Sequence, residues 1–403
     1  MSCVPHLFGL TILYLLFITH GILAASTDDL SRLHDYLTQR NPRKLRPIVN
    51  TSEPLFVYID FYLLNIIELV EVKQNLHISV IFNMSWKDEL LTWKEEEFGG
   101  IKSYVPTNDI LWLPALSCFK YVGNMNIFED SWHAARVYSD GHVVWRVQKS
   151  LNFICELNMK YFPNDDQLCP LLFYVFEYYS DEVVLVSNSH EADYDLFDSD
   201  NGEWKLNGVD LYTELYQTDS TFWIVLFKVN IKLSRLHIFY FLNMVIPILM
   251  LSFLNLFTFC LPDDCGEKIS FSLTVLLSET VFLGSLRDSL PDSSLNIAYI
   301  DLYMTGLLVI SCLISIASII LLYAHHRRKE KLSRKEPRNE TRVPEGFKSA
   351  KIHPMPPDEN PNYKTRSCCA GFSCTLDMIL FLVFFSAWAG TTAVFITITK
   401  NKG

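Results

Sequence analysis

The chain has 403 residues, half of them apolar, with 45 acidic against 34 basic side chains and a formal net charge of -11. Its mean hydropathy is positive, which is unusual for a soluble protein and points to membrane-embedded segments. The acidic balance argues against a nucleic-acid partner, since binding phosphates needs a concentrated basic surface that the N-terminal half lacks; the basic residues gather instead at His325 to Lys335.

Residues 1–25 carry an apolar block from Leu7 to Phe17 and small residues up to Ser26, then Asp28 and Asp29 in place of a stop-transfer cluster. This reads as a cleaved signal peptide rather than a short anchor helix, and secretion places the next part of the chain in an oxidising compartment. A helix is expected from Ser26 to about Arg40: Ser26 or Thr27 can cap it, Asp28 and Asp29 suit its positive end, and Leu30, Leu33 and Leu37 share a face. Pro42 and Pro47 end it.

From about Pro54 to Ile231, aromatic and β-branched runs alternate with turn signals such as Pro106 to Asp109, Ser139 to Gly141 and Asp198 to Gly202. An all-β, immunoglobulin-like sandwich is predicted, within an extracellular domain over 26–234. Ile78, Val80, Phe82, Met84 and Trp86 alternate with Ser79, Ile81, Asn83 and Ser85, so the even positions should face the core and the odd ones outward.

Four apolar stretches come after the sandwich, at about Ile238 to Leu261, Ile269 to Leu286, Ile297 to Tyr323 and Leu376 to Thr399. Each approaches the roughly 20 residues a helix needs to cross a bilayer. Pro247 is tolerable in the first because neighbouring helices can satisfy the freed carbonyl. The second, with Ser270, Ser272, Thr274, Ser278, Glu279 and Thr280, suits water or other helices better than lipid. A four-helix transmembrane bundle is therefore expected: helices one to three over 235–323, a polar, largely disordered linker over 324–374, the fourth helix over 375–399 and a tail over 400–403. The linker opens His-His-Arg-Arg-Lys and is cytoplasmic by the positive-inside rule, which leaves both termini outside.

Of ten cysteines, Cys3 lies in the leader, Cys260, Cys265 and Cys312 lie in or beside apolar spans, and Cys368, Cys369 and Cys374 follow the basic linker. Cys118, Cys155 and Cys169 remain for the exported domain, so the arithmetic gives one bridge and one leftover thiol. Cys155 and Cys169 enclose 13 residues; bridged, such a loop gains about 3 kcal/mol by restricting the unfolded chain. The cysteines alone favour an ordinary sandwich disulfide.

The loop's contents and the helices downstream change that preference. Phe162-Pro163-Asn164-Asp165 inside the loop, Met84-Ser85-Trp86-Lys87-Asp88 with Trp93, Trp112-Leu113-Pro114, Gly202-Glu203-Trp204, and Arg235 with Phe239-Tyr240, Asn243 and Pro247 together resemble the Cys-loop receptors, most of all their nicotinic acetylcholine receptor branch. The string from Leu261 to Leu283, LPDDCGEKISFSLTVLLSETVFL, is the most specific part. The resemblance covers nearly the whole mature chain. It implies a Cys155–Cys169 bridge, a pentameric ligand-gated channel in the plasma membrane, and with it a postsynaptic location. Phe162, Pro163, Asp165, Arg235 and Pro291 would then couple ligand binding to gating.

Steps of three and four from Glu267 give Ser270, Thr274, Leu277, Val281, Ser285 and Asp288 on a single helical face. Alone, that face could simply pack on neighbouring helices. With the resemblance it lines a pore, where rings of Glu267 attract cations and rings of Leu277 and Val281 close by dewetting. Anion-conducting relatives carry a Pro-Ala insertion where Gly266-Glu267 stands, so cation selectivity is expected. Glu279 falls off this face and is expected to meet a neighbouring helix, either as a satisfied interhelical carboxyl or as a source of pH-dependent gating.

Nicotinic relatives hold a cationic ligand in an aromatic box between subunits, by cation–π attraction. Carried over by resemblance, the box is depleted: Phe119 and Phe176 stand where tyrosine and tryptophan are expected, Ile81 where the outward tryptophan of the neighbouring face is expected, and Tyr212, Tyr216, Phe222 and Trp223 occupy a loop without the adjacent cysteines. Cys368-Cys369 are not that pair, being cytoplasmic by the expected topology. Asn50 and Asn83 head glycosylation sequons on the exported part, whereas Asn339 would be cytosolic.

The expected partners are copies or relatives of this chain in a homo- or heteropentamer, a small-molecule agonist, inorganic cations and membrane lipids. No cofactor and no metal are expected. Two rival readings remain, an auxiliary subunit that binds no agonist and a channel gated by a lipid, an amphiphile or protons. A membrane enzyme is disfavoured because no nucleophile elbow, His-Glu-x-x-His cluster or phosphate-binding glycine loop occurs.

Overall fold

The computed structural model describes residues 26–40, 45–107, 110–129, 133–191, 201–218, 221–262, 267–291, 297–333 and 372–400. The expected leader, most of the basic linker, Asn339, Cys368, Cys369 and residues 401–403 lie outside the described residues. Two compact units result: the chain up to Asn158 with Asp166–Leu236, and Met159–Asp165 with the chain from His237 onward.

In the first unit, α1 (Thr27–Arg40) begins at Ser26, whose hydroxyl accepts the backbone N–H of Asp29 at 3.2 Å while Asp29 reaches back to the Ser26 backbone N–H at 3.0 Å. This reciprocal cap satisfies donors that a helix start leaves unpaired. Those hydrogen bonds from Ser26, with help from Arg32, hold the Asp29 carboxyl down at about 2. Leu33 and Leu37 are buried, but Leu30, expected on the same face, is exposed.

Among the described residues ten strands follow: β1 (Leu55–Val70), β2 (Asn75–Lys87), β3 (Ser103–Tyr104), β4 (Leu116–Cys118), β5 (Arg136–Tyr138), β6 (His142–Ile154), β7 (Asp166–Val175), β8 (Val183–Ser187), β9 (Trp204–Gln217) and β10 (Trp223–Arg235). They form a six-stranded sheet, β3-β5-β6-β2-β1-β8, and a four-stranded sheet, β4-β7-β10-β9. The sandwich core is an aromatic ladder: Phe82 of β2 meets Phe173 of β7 edge-on at 5.3 Å, and Phe173 meets Phe153 of β6 at 5.8 Å. Such edge-to-face pairs add about 0.5 to 1.5 kcal/mol each beyond area burial. In β2 the alternation is as read from the sequence, with Ile78, Val80, Phe82, Met84 and Trp86 buried and Ser79, Ile81, Asn83 and Ser85 partly covered by the strands on either side.

After β2 the chain turns on Asp88, whose Oδ1 accepts the N–H groups of Leu90 and Leu91 at 2.9 and 3.0 Å. Burial outweighs those bonds and raises its carboxyl to about 6. Gly141 has φ +85°, and a Cβ there would stand 2.3 Å from the Asp88 carbonyl, so this close approach of two turns requires glycine.

Among its described residues the second unit holds four long helices: α2 (Ile238–Cys260), α3 (Glu267–Arg287), α4 (Tyr299–Ser333) and α5 (Phe372–Lys400). All four are long and apolar enough to cross a membrane. In α2 a wide π-type turn over Phe241–Val245 runs into Pro247, whose missing N–H leaves the ordinary bond to the fourth residue back unmade. Leu256, Phe259, Ile314 and Leu321 form a buried cluster against Phe253, Phe381, Phe384 and Trp388, tying α2, α4 and α5 together.

Candidate functional site

Cys155 at the end of β6 and Cys169 in β7 are bonded, with Cα atoms 5.2 Å apart. Just inside the bridge, Gln167 closes the neck of the loop: its Oε1 accepts the Asn158 N–H at 2.8 Å and its Nε2 donates to the Asn158 carbonyl at 3.0 Å. Cys118 is the leftover thiol, buried, and burial pushes it up from its ordinary value.

The loop tip belongs to the helical unit. The Phe162 ring stands edge-on to Tyr240 of α2 at 5.1 Å, Tyr161 edge-on to Tyr299 of α4 at 5.5 Å, and the Lys160 ammonium lies 5.5 Å from the Tyr299 ring centre. The Phe162–Pro163 peptide is cis, and Phe162 and Asp165 are buried. Thus Tyr161 and Phe162 meet the starts of the third and first spanning helices, and Pro163 and Asp165 follow them in the same unit. Pro291 lies just beyond α3, and the neighbouring residues 292–296 lie outside the described residues. In the sandwich unit, Arg235 ends β10 fully covered, its Nη1 2.5 Å from Oε1 of Glu71 and its guanidinium 4.2 Å over the Trp204 ring.

Along α3, Glu267, Ser270, Thr274, Leu277, Val281 and Ser285 are all exposed, as is Asp288 just past its end. Leu277 and Val281 expose 65% and 63% of their surface. The hydroxyls of Thr274 and Ser285 donate to the carbonyls four residues back, at 2.7 and 3.3 Å, which leaves their oxygen lone pairs turned outward as acceptors.

The opposite face, Lys268, Ser272, Val275, Glu279, Leu283 and Leu286, is buried. Ser272 and Ser315 of α4 share a hydrogen bond of 2.6 Å, and Lys268, nearly sealed from solvent, meets Asp377 of α5 at 2.8 Å. Glu279 is buried beside Ser311 of α4, and neither of its oxygens closes a hydrogen bond of ordinary geometry among the described residues.

The ligand positions divide between the two sheets. Ile81 lies on the six-stranded sheet, while Phe119, Phe176, Tyr212, Tyr216 and Trp223 lie on or beside the four-stranded one. Phe119 is exposed and stacks on Tyr174 of β7 with ring centres 4.7 Å apart; Phe222 stacks on Tyr179 at 4.5 Å beside the exposed Trp223. Phe176 is half-buried and Tyr216 exposed.

Across the β9–β10 pair, Lys228 faces Tyr212 in register, with its ammonium 5.7 Å from the ring centre and ion-paired to Glu214. The Tyr212 hydroxyl accepts from Asn230 at 3.2 Å. The tyrosine face that could greet a soluble cation is thus already met by the chain's own ammonium. Sequence reading missed Tyr174, Tyr179 and Lys228; alternation along β7 could have found Tyr174.

Asn50 is exposed, with its amide 2.9 Å from Glu53. Asn83 lies within the sheet, its Nδ2 turned to Asp60 at 3.3 Å and its Oδ1 closed off from solvent. Among the described residues no group of three or more His, Cys, Asp or Glu is placed to hold a metal ion.

Two family models match, the neurotransmitter-gated ion-channel ligand binding domain over residues 30–237 and the neurotransmitter-gated ion-channel transmembrane region over residues 244–395. Among curated proteins the chain is 30% identical to the neuronal acetylcholine receptor subunit beta-2 of Rattus norvegicus over 316 residues, 78% of this chain and 62% of that protein. It is 33% identical to the beta-3 subunit of the same species over 295 residues, 72% of this chain and 62% of that one. The alpha-2 subunit of Gallus gallus is 31% identical over 307 residues, 73% and 56% of the two chains. The matches thus cover about three fifths of those relatives' length. Both models, the Cys155–Cys169 bridge and the four spanning helices agree, and this multi-pass membrane protein belongs to the neurotransmitter-gated ion-channel family, a family of channels and not of enzymes.

Proposed function

We propose that the chain is a subunit of a pentameric, cation-conducting, ligand-gated channel of the plasma membrane, with its sandwich and both termini outside. The observation that carries this reading is the exposed stripe of α3. It has hydroxyl acceptors at Ser270 and Thr274, apolar Leu277 and Val281 beyond them, and acids at Glu267 and Asp288. Repeated around a fivefold axis, Glu267 and outward oxygens favour cations at one mouth, and the apolar rings form a constriction that dries when narrow. The loop tip around Phe162 and the buried Arg235–Glu71 pair supply the coupling parts.

The test is cysteine scanning of α3. Cysteines at 270, 274, 277, 281 and 285 should let a charged methanethiosulfonate reagent block current, whereas those at 272, 275 and 283 should not. Uniform protection of the first set would remove the pore assignment.

The agonist is a small molecule held where Phe119, Phe176, Tyr212, Tyr216 and Trp223 of one subunit meet Ile81 of the next. A second reading, an auxiliary subunit dependent on agonist-binding partners, is favoured by the Lys228 ammonium at Tyr212 and by isoleucine at position 81. Expression alone against co-expression with nicotinic subunits separates the two. Asn50 is the sequon proposed to carry a glycan, since the Asn83 amide is turned into the sheet.

A further inference from the structure

The outward face of the six-stranded sheet carries two arginines that no part of the channel reading uses. Side chains along a strand alternate between faces, and residues directly opposite across an antiparallel pair share a face. Asn83 of β2 stands opposite Arg146 of β6, Ile81 opposite Gln148, and Arg136 of β5 opposite Val144. Ile81, Val144, Arg146 and Arg136 therefore lie on one face, with Arg146 diagonal to both Ile81 and Arg136 and within about 8 Å of each at the backbone. Both arginines are exposed. Arg136 donates from Nη1 to the Ser103 hydroxyl at 3.0 Å, and among the described residues neither guanidinium is ion-paired. We propose that this face binds a small organic acid, its carboxylate held by Arg146 and Arg136 and its aliphatic body lying on Ile81 and Val144.

Three observations favour an acid over an amine. First, the two guanidiniums present like charge to an ammonium beside Ile81, which offers no π face in exchange, whereas the planar arginine fork meets both oxygens of a carboxylate. Second, the acid that shares the face is engaged elsewhere. Asp60 accepts the side-chain amides of Asn83 at 3.3 Å and Asn188 at 3.1 Å through Oδ2, and the intervening strand β2 holds it about 10 Å from Arg146 at the backbone. Third, on the four-stranded sheet the Lys228 ammonium is ion-paired to Glu214 and covers Tyr212, so that side adds no net charge to draw an ammonium. An inorganic anion would use the arginines and leave Ile81 and Val144 idle, which points to an acid with an aliphatic body. Placing the acid against the Tyr212 side of a second subunit rests on the interface proposed above; the arginine pair lies within one sheet and does not.

The experiment places the full chain in nanodiscs, alone and with nicotinic partners. Saturation-transfer difference NMR then gives the dissociation constants of butanoate, butanamide, butyltrimethylammonium and inorganic phosphate. Butanoate should bind at least about tenfold more tightly than butanamide, the usual worth of a hydrogen bond to a charged group. R146Q and R136Q should each weaken butanoate about tenfold or more, and R146K should keep part of the affinity because lysine supplies the charge without the fork. R146E should turn the preference toward butyltrimethylammonium.

Equal binding of butanoate and butanamide would overturn the proposal, as would tighter binding of butyltrimethylammonium to the unaltered chain. Wild-type butanoate affinity in both R146Q and R136Q would do the same, and phosphate binding as tightly as butanoate would remove the aliphatic contact. If R146Q fails to fold, R136Q decides. Binding is read without current, so the two readings fail separately. Butanoate held by a chain that passes no cation current would sink the channel reading alone, and a working cation channel blind to the acid would sink this one alone.

Discussion

Replacing Arg235 by glutamine should destabilise the sandwich more than almost any other single polar change. Its side chain is wholly covered, with Glu71 at 2.5 Å and the Trp204 ring beneath it at 4.2 Å. Removing one partner of a buried ion pair costs about 3 to 5 kcal/mol, mostly because the other charge is left without compensation. For a domain of this size each kcal/mol moves the melting midpoint by about 2 to 4 °C, so R235Q should melt roughly 6 to 20 °C lower. Glu71→Gln should lose less, because the guanidinium keeps the Trp204 face, an attraction of about 1 to 2 kcal/mol.

The assay is a double-mutant cycle on the full chain in detergent, read as the folded fraction after a heat step. The coupling between the two positions should be about 1 to 3 kcal/mol, and R235M/E71Q should recover part of the loss. Strictly additive single effects would refute the pairing, and an unchanged R235Q midpoint would refute the burial argument.

Lys228→Gln should uncover the Tyr212 ring and raise the affinity for a tetraalkylammonium probe by about tenfold, the worth of a partly desolvated cation–π contact, as measured by displacement or dose-response curves. Leu277→Thr should raise basal current by weakening the dry constriction, measured without agonist. Lys268→Met should leave Asp377 uncompensated and lower the stability of the helical bundle by about 3 kcal/mol, whereas K268M/D377L should regain most of it. Asp88, whose carboxyl burial raises from 3.8 to about 6, binds its proton more tightly folded than unfolded. Its contribution therefore grows as pH falls through 6, making the sandwich about 1 kcal/mol more stable at pH 5 than at pH 7. Asp88→Asn should flatten that slope in melting curves at the two pH values.

Local periodicity carried much of this from sequence alone. The α3 stripe was legible because steps of three and four fix a helical face whatever the neighbours, and the β2 alternation because a strand has period two. Elimination by location left three exported cysteines, and the resemblance chose the pair. What stayed hidden depends on non-local register. Lys228 meets Tyr212 and Glu214 only through the β9–β10 pairing, and Lys268 meets Asp377 across 109 positions. Membership of the loop tip in the helical unit depends on ring contacts of Tyr161 and Phe162 that no spacing reveals. Leu30 shares the apolar stripe of α1 but finds no cover, since amphipathic spacing states which residues share a face and not how far the neighbour extends.

The most direct test of the channel reading is the reversal potential of currents from cells expressing the chain, alone or with nicotinic partners, in baths where sodium or chloride is replaced by an impermeant ion. A reversal potential that moves with sodium and stays fixed when chloride is replaced is the predicted result; one that follows chloride would contradict the role given to Glu267 and the outward oxygens of α3.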